Sequence, residues 1–230
     1  MNPVALAVWL PVTIAIYLAA ERLQRVTRSA LLNPVLTSVA AVGLLLWRFD
    51  VPYDHYFDGA RPLHWLLAPA TVALAVPLAV QNARLHRAWL PILVAICAGL
   101  VTAVASAWAI AALLGASHQT LLSLAPKSVT TPIAIGIAEK IGGIPALSVL
   151  AVLITGTFGA VIVEALFRRM KIDDDAVKGI ALGVSAHGVG TARAFQISAE
   201  CGAFSGLAMA LAGLITALLL PLMLRLLGLA

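Results

Sequence analysis

Long apolar runs, broken by short polar clusters, set the pattern of this chain. Segments near 3–20, 32–48, 63–81, 89–114, 119–140, 144–168, 178–199 and 203–227 each approach the roughly 17–25 residues that a helix needs to cross a hydrocarbon core. None shows the strict two-residue alternation of a half-buried strand. The pattern predicts an all-α polytopic membrane protein with about 6–8 membrane segments, some of them broken or re-entrant, and inverted repeats. Residues 1–60 read as an N-terminal membrane scaffold and 61–230 as a transporter-like membrane core, with breaks near 119–143 and 178–199.

One stretch resists the simple reading. "SLAPKSVTTPIAIGIAEKIGG" (123–143) has membrane length, yet it carries Lys127, Ser128, Thr130, Thr131, two prolines and a terminal Gly142–Gly143 pair. Pro126 and Pro132 each remove a backbone donor and are expected to interrupt a helix. Irregular backbone at membrane depth is tolerated where it is buried in protein or lines a wet cavity.

Composition supports the bilayer as solvent. Of 230 residues, 62% are hydrophobic and 11% charged, against about 25% charged in a soluble domain. The net charge of +5 comes from basic residues scattered at segment ends, so it reports topology rather than nucleic-acid binding. Arg22, Arg25 and Arg28 in the loop 21–28, and Arg84 and Arg87 in a linker 82–88, belong on the cytoplasmic side. The segment 49–62, with three aspartates, is expected as an outside loop. If 119–143 dips into the membrane and returns, Arg168, Arg169 and Lys171 also fall inside. Whether 178–199 crosses fully is left open by the single Arg225 beyond it. The chain opens without a charged n-region and cleavage site, so its first segment reads as a permanent span.

Sliding the sequence by 61 positions sets 126–169 against 187–230. Identical residues then include Thr130/Thr191, Ala138/Ala199, Glu139/Glu200, Leu153/Leu214, Ile154/Ile215 and Thr155/Thr216. The count is modest for so Ala- and Leu-rich a chain; the clustering on "AE" and "LIT" carries more weight. The second interrupted element is then "GVSAHGVGTARA" (183–194), entering from the side opposite to the first. Paired, interrupted segments of opposite orientation point to a transporter site at the midplane.

Lys127 and Arg193 are the cations deepest in these elements, and neither has an obvious acidic neighbour along the chain. A charge at a helix centre costs about 2.5–3.5 kcal/mol on insertion scales. A small carboxylate, a wet cavity or a protein carboxylate would offset it. Arg193 offers a fork and Lys127 a point charge for a carboxylate, while Ser128, Thr130, Thr131, Ser185 and Thr191 offer hydroxyls. The alternative is that Lys127 snorkels and Arg193 caps a helix. His187, set between glycines, is either a titrating group or a neutral hydrogen-bonding one. Gly142, Gly143, Gly188 and Gly190, with Pro126 and Pro132, are the candidate hinges. Gly179/Gly183 and Gly202/Gly206 have the spacing that lets helices approach closely. Cys97 and Cys201 lack redox or metal spacing and read as buried thiols. No metal site, cofactor motif or catalytic constellation is recognised, so an enzyme is not expected.

"LAPKSVTTPIAIGIAEKIGGIPALSVLAVLITG", "GIALGVSAHGVGTARAF" and "LAMALAGLITALLLPL" together resemble the LrgB/CidB family of bacterial membrane proteins, including its YohK-type members. "LLAPATVALAVPLA" and "WLPILV" fit the same family, so the resemblance covers nearly all of the chain from about residue 60. It implies a multi-pass protein of the bacterial inner membrane. It also implies a small LrgA/CidA-like partner subunit. Two functions follow from it. One is control of murein hydrolase activity and lysis, as an antiholin-like or holin-like protein. The other is transport of small monocarboxylates, because the related plastid translocator exchanges glycolate and glycerate and some bacterial pairs are associated with pyruvate uptake. The expectation taken forward is monocarboxylate transport, possible homo-oligomers included, with lysis control as the alternative.

Overall fold

The computed structural model describes residues 3–27, 32, 34–66, 69 and 82–229, and all of the regular structure among them is helical. The chain divides into two compact units, 1–73 and 74–230. The span expected at 63–81 lies mostly outside the described residues.

The first unit contains α1 (Pro3–Thr27), α2 (Pro34–Arg48) and α3 (Tyr53–Trp65). α1 is apolar and long enough to cross a membrane, while α2 includes a shorter apolar stretch. The loop expected at 49–62 is instead largely helix. Its polar composition hid local contacts that suit a helix surface: Tyr53 stacks on Phe57, and Arg61 pairs with Asp58 at 3.0 Å. α3 also packs closely on α1. A Cβ at Gly59 would lie 2.2 Å from the Ala5 carbonyl oxygen, and Trp9 Nε1 donates to His55 Nδ1 at 3.2 Å.

The second unit begins with α4 (Asn82–Leu113), so the expected linker 82–88 is the first two turns of a helix. There follow α5 (His118–Leu124), α6 (Thr131–Ile141), α7 (Pro145–Met170), α8 (Asp175–Ile197) and α9 (Ala199–Leu226). Within this unit α4, α7 and α9 are apolar and long enough to cross a membrane.

Local sequence sets the boundaries. Ser117 caps α5 by accepting from the Thr120 amide. Gly142, at φ 80°, ends α6, and the Gly143 amide returns to the Ala138 carbonyl at 2.8 Å. Pro132 stands in the first turn of α6 rather than inside it; there the missing donor costs nothing, so only Pro126 falls within the break itself. Asp174 caps α8 through the amides of Ala176 and Val177, and Ser198 caps α9 through that of Cys201.

α8 does not cross. His187 sits at φ 41°, ψ −130°, and divides it into arms 175–186 and 188–197. The arms fold back on each other: a Cβ at Gly190 would lie 2.5 Å from the Leu182 carbonyl oxygen, and Ser198 comes beside the Asp175 carboxyl at the far end. A straight helix would hold those last two residues roughly 35 Å apart. The first arm then lies beside the start of α9, with Gly179 against the Cys201 carbonyl and Gly183 against that of Ser205. The packing role expected for Gly179 and Gly183 is what they perform.

The first interrupted element has the same plan. Ser123, at the end of α5, accepts from the Ile144 amide at 2.7 Å, and its carbonyl accepts from the Ser148 hydroxyl at 2.7 Å. The chain between them leaves through residues 125–130 and returns as α6. The offset of 61 carries Pro126 onto His187, so the two breaks coincide under it. Because α7 separates the two hairpins, they enter from opposite faces. His118, at the entrance of the first, lies 2.9 Å from the Leu229 carbonyl oxygen, so α9 ends on that same face. Arg168, Arg169 and Lys171 mark the other, basic face.

Candidate functional site

The tips of both hairpins reach the middle of α7. His187 is buried there, and its Nε2–H donates to the Val152 carbonyl oxygen at 3.0 Å. Its unusual backbone, sterically costly for any residue with a Cβ, is held by Thr191. The Thr191 hydroxyl donates to the His187 carbonyl at 2.9 Å and lies 2.9 Å from the Ser205 hydroxyl. His187 and Thr191 therefore form a buried clasp around the turn.

The other tip carries Lys127 and Ser128. Both open onto a cavity of ≈ 380 Å³ together with Thr155, Phe158 and Gly159 of α7, Ser185 of α8 and Ala103 of α4. Lys127 is half-buried, and its ammonium makes one long contact, 3.4 Å to Ser128 Oγ. Among the described residues no carboxylate lies within salt-bridge distance of it. The Thr155 hydroxyl is likewise without a partner among the described residues. Ser185 is committed to the Ala181 carbonyl at 2.6 Å but keeps its lone pairs. One cation, a few hydroxyls and apolar walls that include Ile154, Ile162 and Leu166 match a small organic anion with little other charge.

The remaining sequence candidates fall elsewhere. Thr130 precedes α6 and Thr131 begins it; both are half-buried and neither lines this cavity. Arg193 lies on the returning arm of α8, where its guanidinium meets the Glu164 carboxylate and, at 2.5 Å, Gln196 Oε1. Arg193, which has no acidic neighbour along the chain, thus finds its acidic partner in space. Glu164 is 29 positions away in the chain, and only the α7–α8 packing brings the two together. Gly142 and Gly143 form a helix cap, Pro126 is fully buried, and Gly190 is pressed into the second hairpin. Thr155 and Phe158 were not singled out as site residues. The available signal was the "LIT" of the internal echo, which contains Thr155.

Apolar helices long enough to cross a membrane, with two re-entrant hairpins whose tips meet beside the middle of α7 and a lysine there with no acidic partner among the described residues, define a multi-pass membrane protein of the inverted-repeat kind. The comparisons with known proteins give the particular family. Residues 13–226 match the model of the LrgB-like family, and the chain belongs to it. It is 36% identical over 212 residues to the uncharacterized protein YwbG of Bacillus subtilis, covering 92% of this chain and 94% of that one. It is 28% identical over 214 residues to the holin-like protein CidB of Staphylococcus epidermidis, covering 93% of each. No solved structure matches. This chain is therefore a multi-pass bacterial membrane protein of the LrgB/CidB family, whose relatives include proteins named holin-like.

Proposed function

We propose that the protein transports small monocarboxylates of the pyruvate, glycolate or glycerate type. The observation that carries the reading is Lys127, half-buried at the tip of an interrupted helix, facing a cavity and lacking a counterion among the described residues. A bound carboxylate supplies the missing charge through a charge-assisted hydrogen bond. Ser128 and the free Thr155 hydroxyl take the substrate's remaining oxygens, and Phe158 and Ile162 face its carbon end. Arg193 is already neutralised by Glu164, so the cavity offers one positive charge, which favours one carboxylate over two. The basic face is the cytoplasmic one by its excess of Arg and Lys. A small LrgA/CidA-like membrane subunit acts with the chain, and the first unit, 1–73, serves as scaffold or subunit contact. The decisive experiment is uptake of radiolabelled pyruvate and glycolate by cells expressing the chain with that partner. Wild type should exceed vector, and Lys127→Met should return to the vector level while inserting normally.

The names of the CidB relatives favour a second reading, control of lysis without transport. Under it, Lys127→Met changes nothing, and wild type alters lysis timing while giving no uptake.

A further inference from the structure

One polar side chain of the Lys127 cavity has no part in holding the carboxylate. Ser185 lines the cavity from the second hairpin, two residues before the turn at His187, while Lys127 and Ser128 line it from the first. Packing of the hairpin tip fixes its place. A Cβ at Gly159, itself on the cavity wall, would lie 2.9 Å from the Ala186 Cβ, and one at Gly156 would lie 2.6 Å from His187 Cε1. The arm that carries Ser185 is therefore pressed on the stretch of α7 that presents Thr155 and Phe158 to the cavity.

The hairpin itself does not call for a hydroxyl there. Ser185 is exposed, and its one hydrogen bond among the described residues runs to its own helix. The offset of 61 places Leu124 at the same position of the first hairpin.

The hydrogen-bonding capacities of the cavity are unequal. The Ser185 hydroxyl donates to the Ala181 carbonyl oxygen at 2.6 Å, which leaves its lone pairs facing the hollow. Lys127 can only donate. Ser128 Oγ receives the ammonium at 3.4 Å and keeps its own proton, and the Thr155 hydroxyl can both donate and accept.

We propose that Ser185 is a specificity-determining residue, which makes the site prefer 2-hydroxy monocarboxylates to their 2-oxo counterparts. The proposal rests on the transport reading above and narrows its substrate class. With the carboxylate on Lys127 and Ser128, the oxygen on the next carbon is left to Thr155 and Ser185. A 2-hydroxyl accepts from Thr155 and donates to Ser185, so every polar atom is paired. A 2-oxo oxygen has no proton to give. The serine then keeps an unmatched acceptor among apolar walls, or it surrenders its bond to Ala181 in order to turn and donate; either way a hydrogen bond is lost.

The test is competition against uptake of radiolabelled glycolate by cells expressing the chain with its partner subunit. Pyruvate and lactate have the same length and differ at the second carbon; because the cavity is chiral, the better of the two lactate enantiomers is compared. In wild type the inhibition constant of lactate should lie at least about threefold below that of pyruvate, the size expected for one neutral hydrogen bond. Ser185→Ala should bring the ratio to within about twofold of one, chiefly by weakening lactate. Ser185→Thr, whose hydroxyl can donate to the same carbonyl, should keep the wild-type ratio. Alanine suits a helix, so the fold is not at risk. An absent lactate preference in wild type, a ratio unchanged in Ser185→Ala, or both acids weakened alike overturns the proposal, while glycolate uptake keeps the transport reading standing. Glycolate uptake no higher in wild type than in vector overturns the transport reading, and this preference with it.

Discussion

His187 at the tip of the second hairpin donates from Nε2 to the carbonyl oxygen of Val152, in the interior of α7, at 3.0 Å. That bond ties a re-entrant turn to a crossing helix, and Gly156 makes room for it. A Cβ at Gly156 would lie 2.6 Å from His187 Cε1.

Gly156→Ala should therefore push the ring off Val152 and destabilise the protein by about 1–3 kcal/mol, as overpacking generally does. Thermal unfolding in detergent reads the loss. His187→Gly should be milder than His187→Ala. Both lose the ring's hydrogen bond, but glycine relieves a backbone strained at φ 41° whereas alanine keeps the strain.

Lys127→Met should abolish uptake without harming the fold. It removes a half-buried ammonium whose one hydrogen bond among the described residues is to Ser128, and an unpaired charge at membrane depth costs rather than contributes. The expected pattern is at least about tenfold less transport with an unfolding temperature equal to or above wild type. A large fall in unfolding temperature would mean that Lys127 holds the structure instead.

Arg193 and Glu164 should behave as a pair. The arginine side chain is 19% exposed and the glutamate 44%, so their coupling in a double-mutant cycle should be modest, roughly 0.5–1 kcal/mol after solvent screening. Arg193→Ala and Glu164→Ala should each slow transport, and the charge-swapped double variant should recover most of it. Transport lost equally in the swap would move Arg193 back to the substrate.

The entrance of the second hairpin should weaken in acid. The Ser198 hydroxyl first, and then Lys178 at 2.9 Å, hold the Asp175 carboxyl below its usual range. A depressed carboxylate contributes stability that is fully present above its unfolded pKa, near 3.9. That contribution is lost as pH falls through the lower folded value. The group is partly exposed, so solvent screening keeps the effect small. Unfolding midpoints measured between about pH 2 and 6 should fall less steeply with acid in Ser198→Ala and least in Asp175→Asn.

The sequence carried a good part of this fold. Apolar length marked α4, α7 and α9, because the bilayer demands it of any crossing helix. The breaks at Pro126 and around His187 are legible from residues that disfavour helix, and the offset of 61 relates them within the sequence itself. α3 was missed because its polar surface resembles a loop until it is laid on α1, where Gly59 meets Ala5. The turn of α8 was open for a similar reason: one uncertain crossing could not be decided by Arg225 alone.

Lys127 and Ser128 could be chosen from sequence because a cation in an apolar stretch stands out whatever surrounds it. What surrounds it could not be chosen. Glu164 reaches Arg193, Thr155 reaches the cavity and Ser198 reaches Asp175 through the packing of helices distant in the chain. The chain by itself determined which segments prefer lipid and where their helices break, since both depend on neighbouring residues. Only the tertiary structure decided which charges are neutralised and which one is left facing a hollow, because pairing and cavity shape depend on residues that sequence distance does not relate.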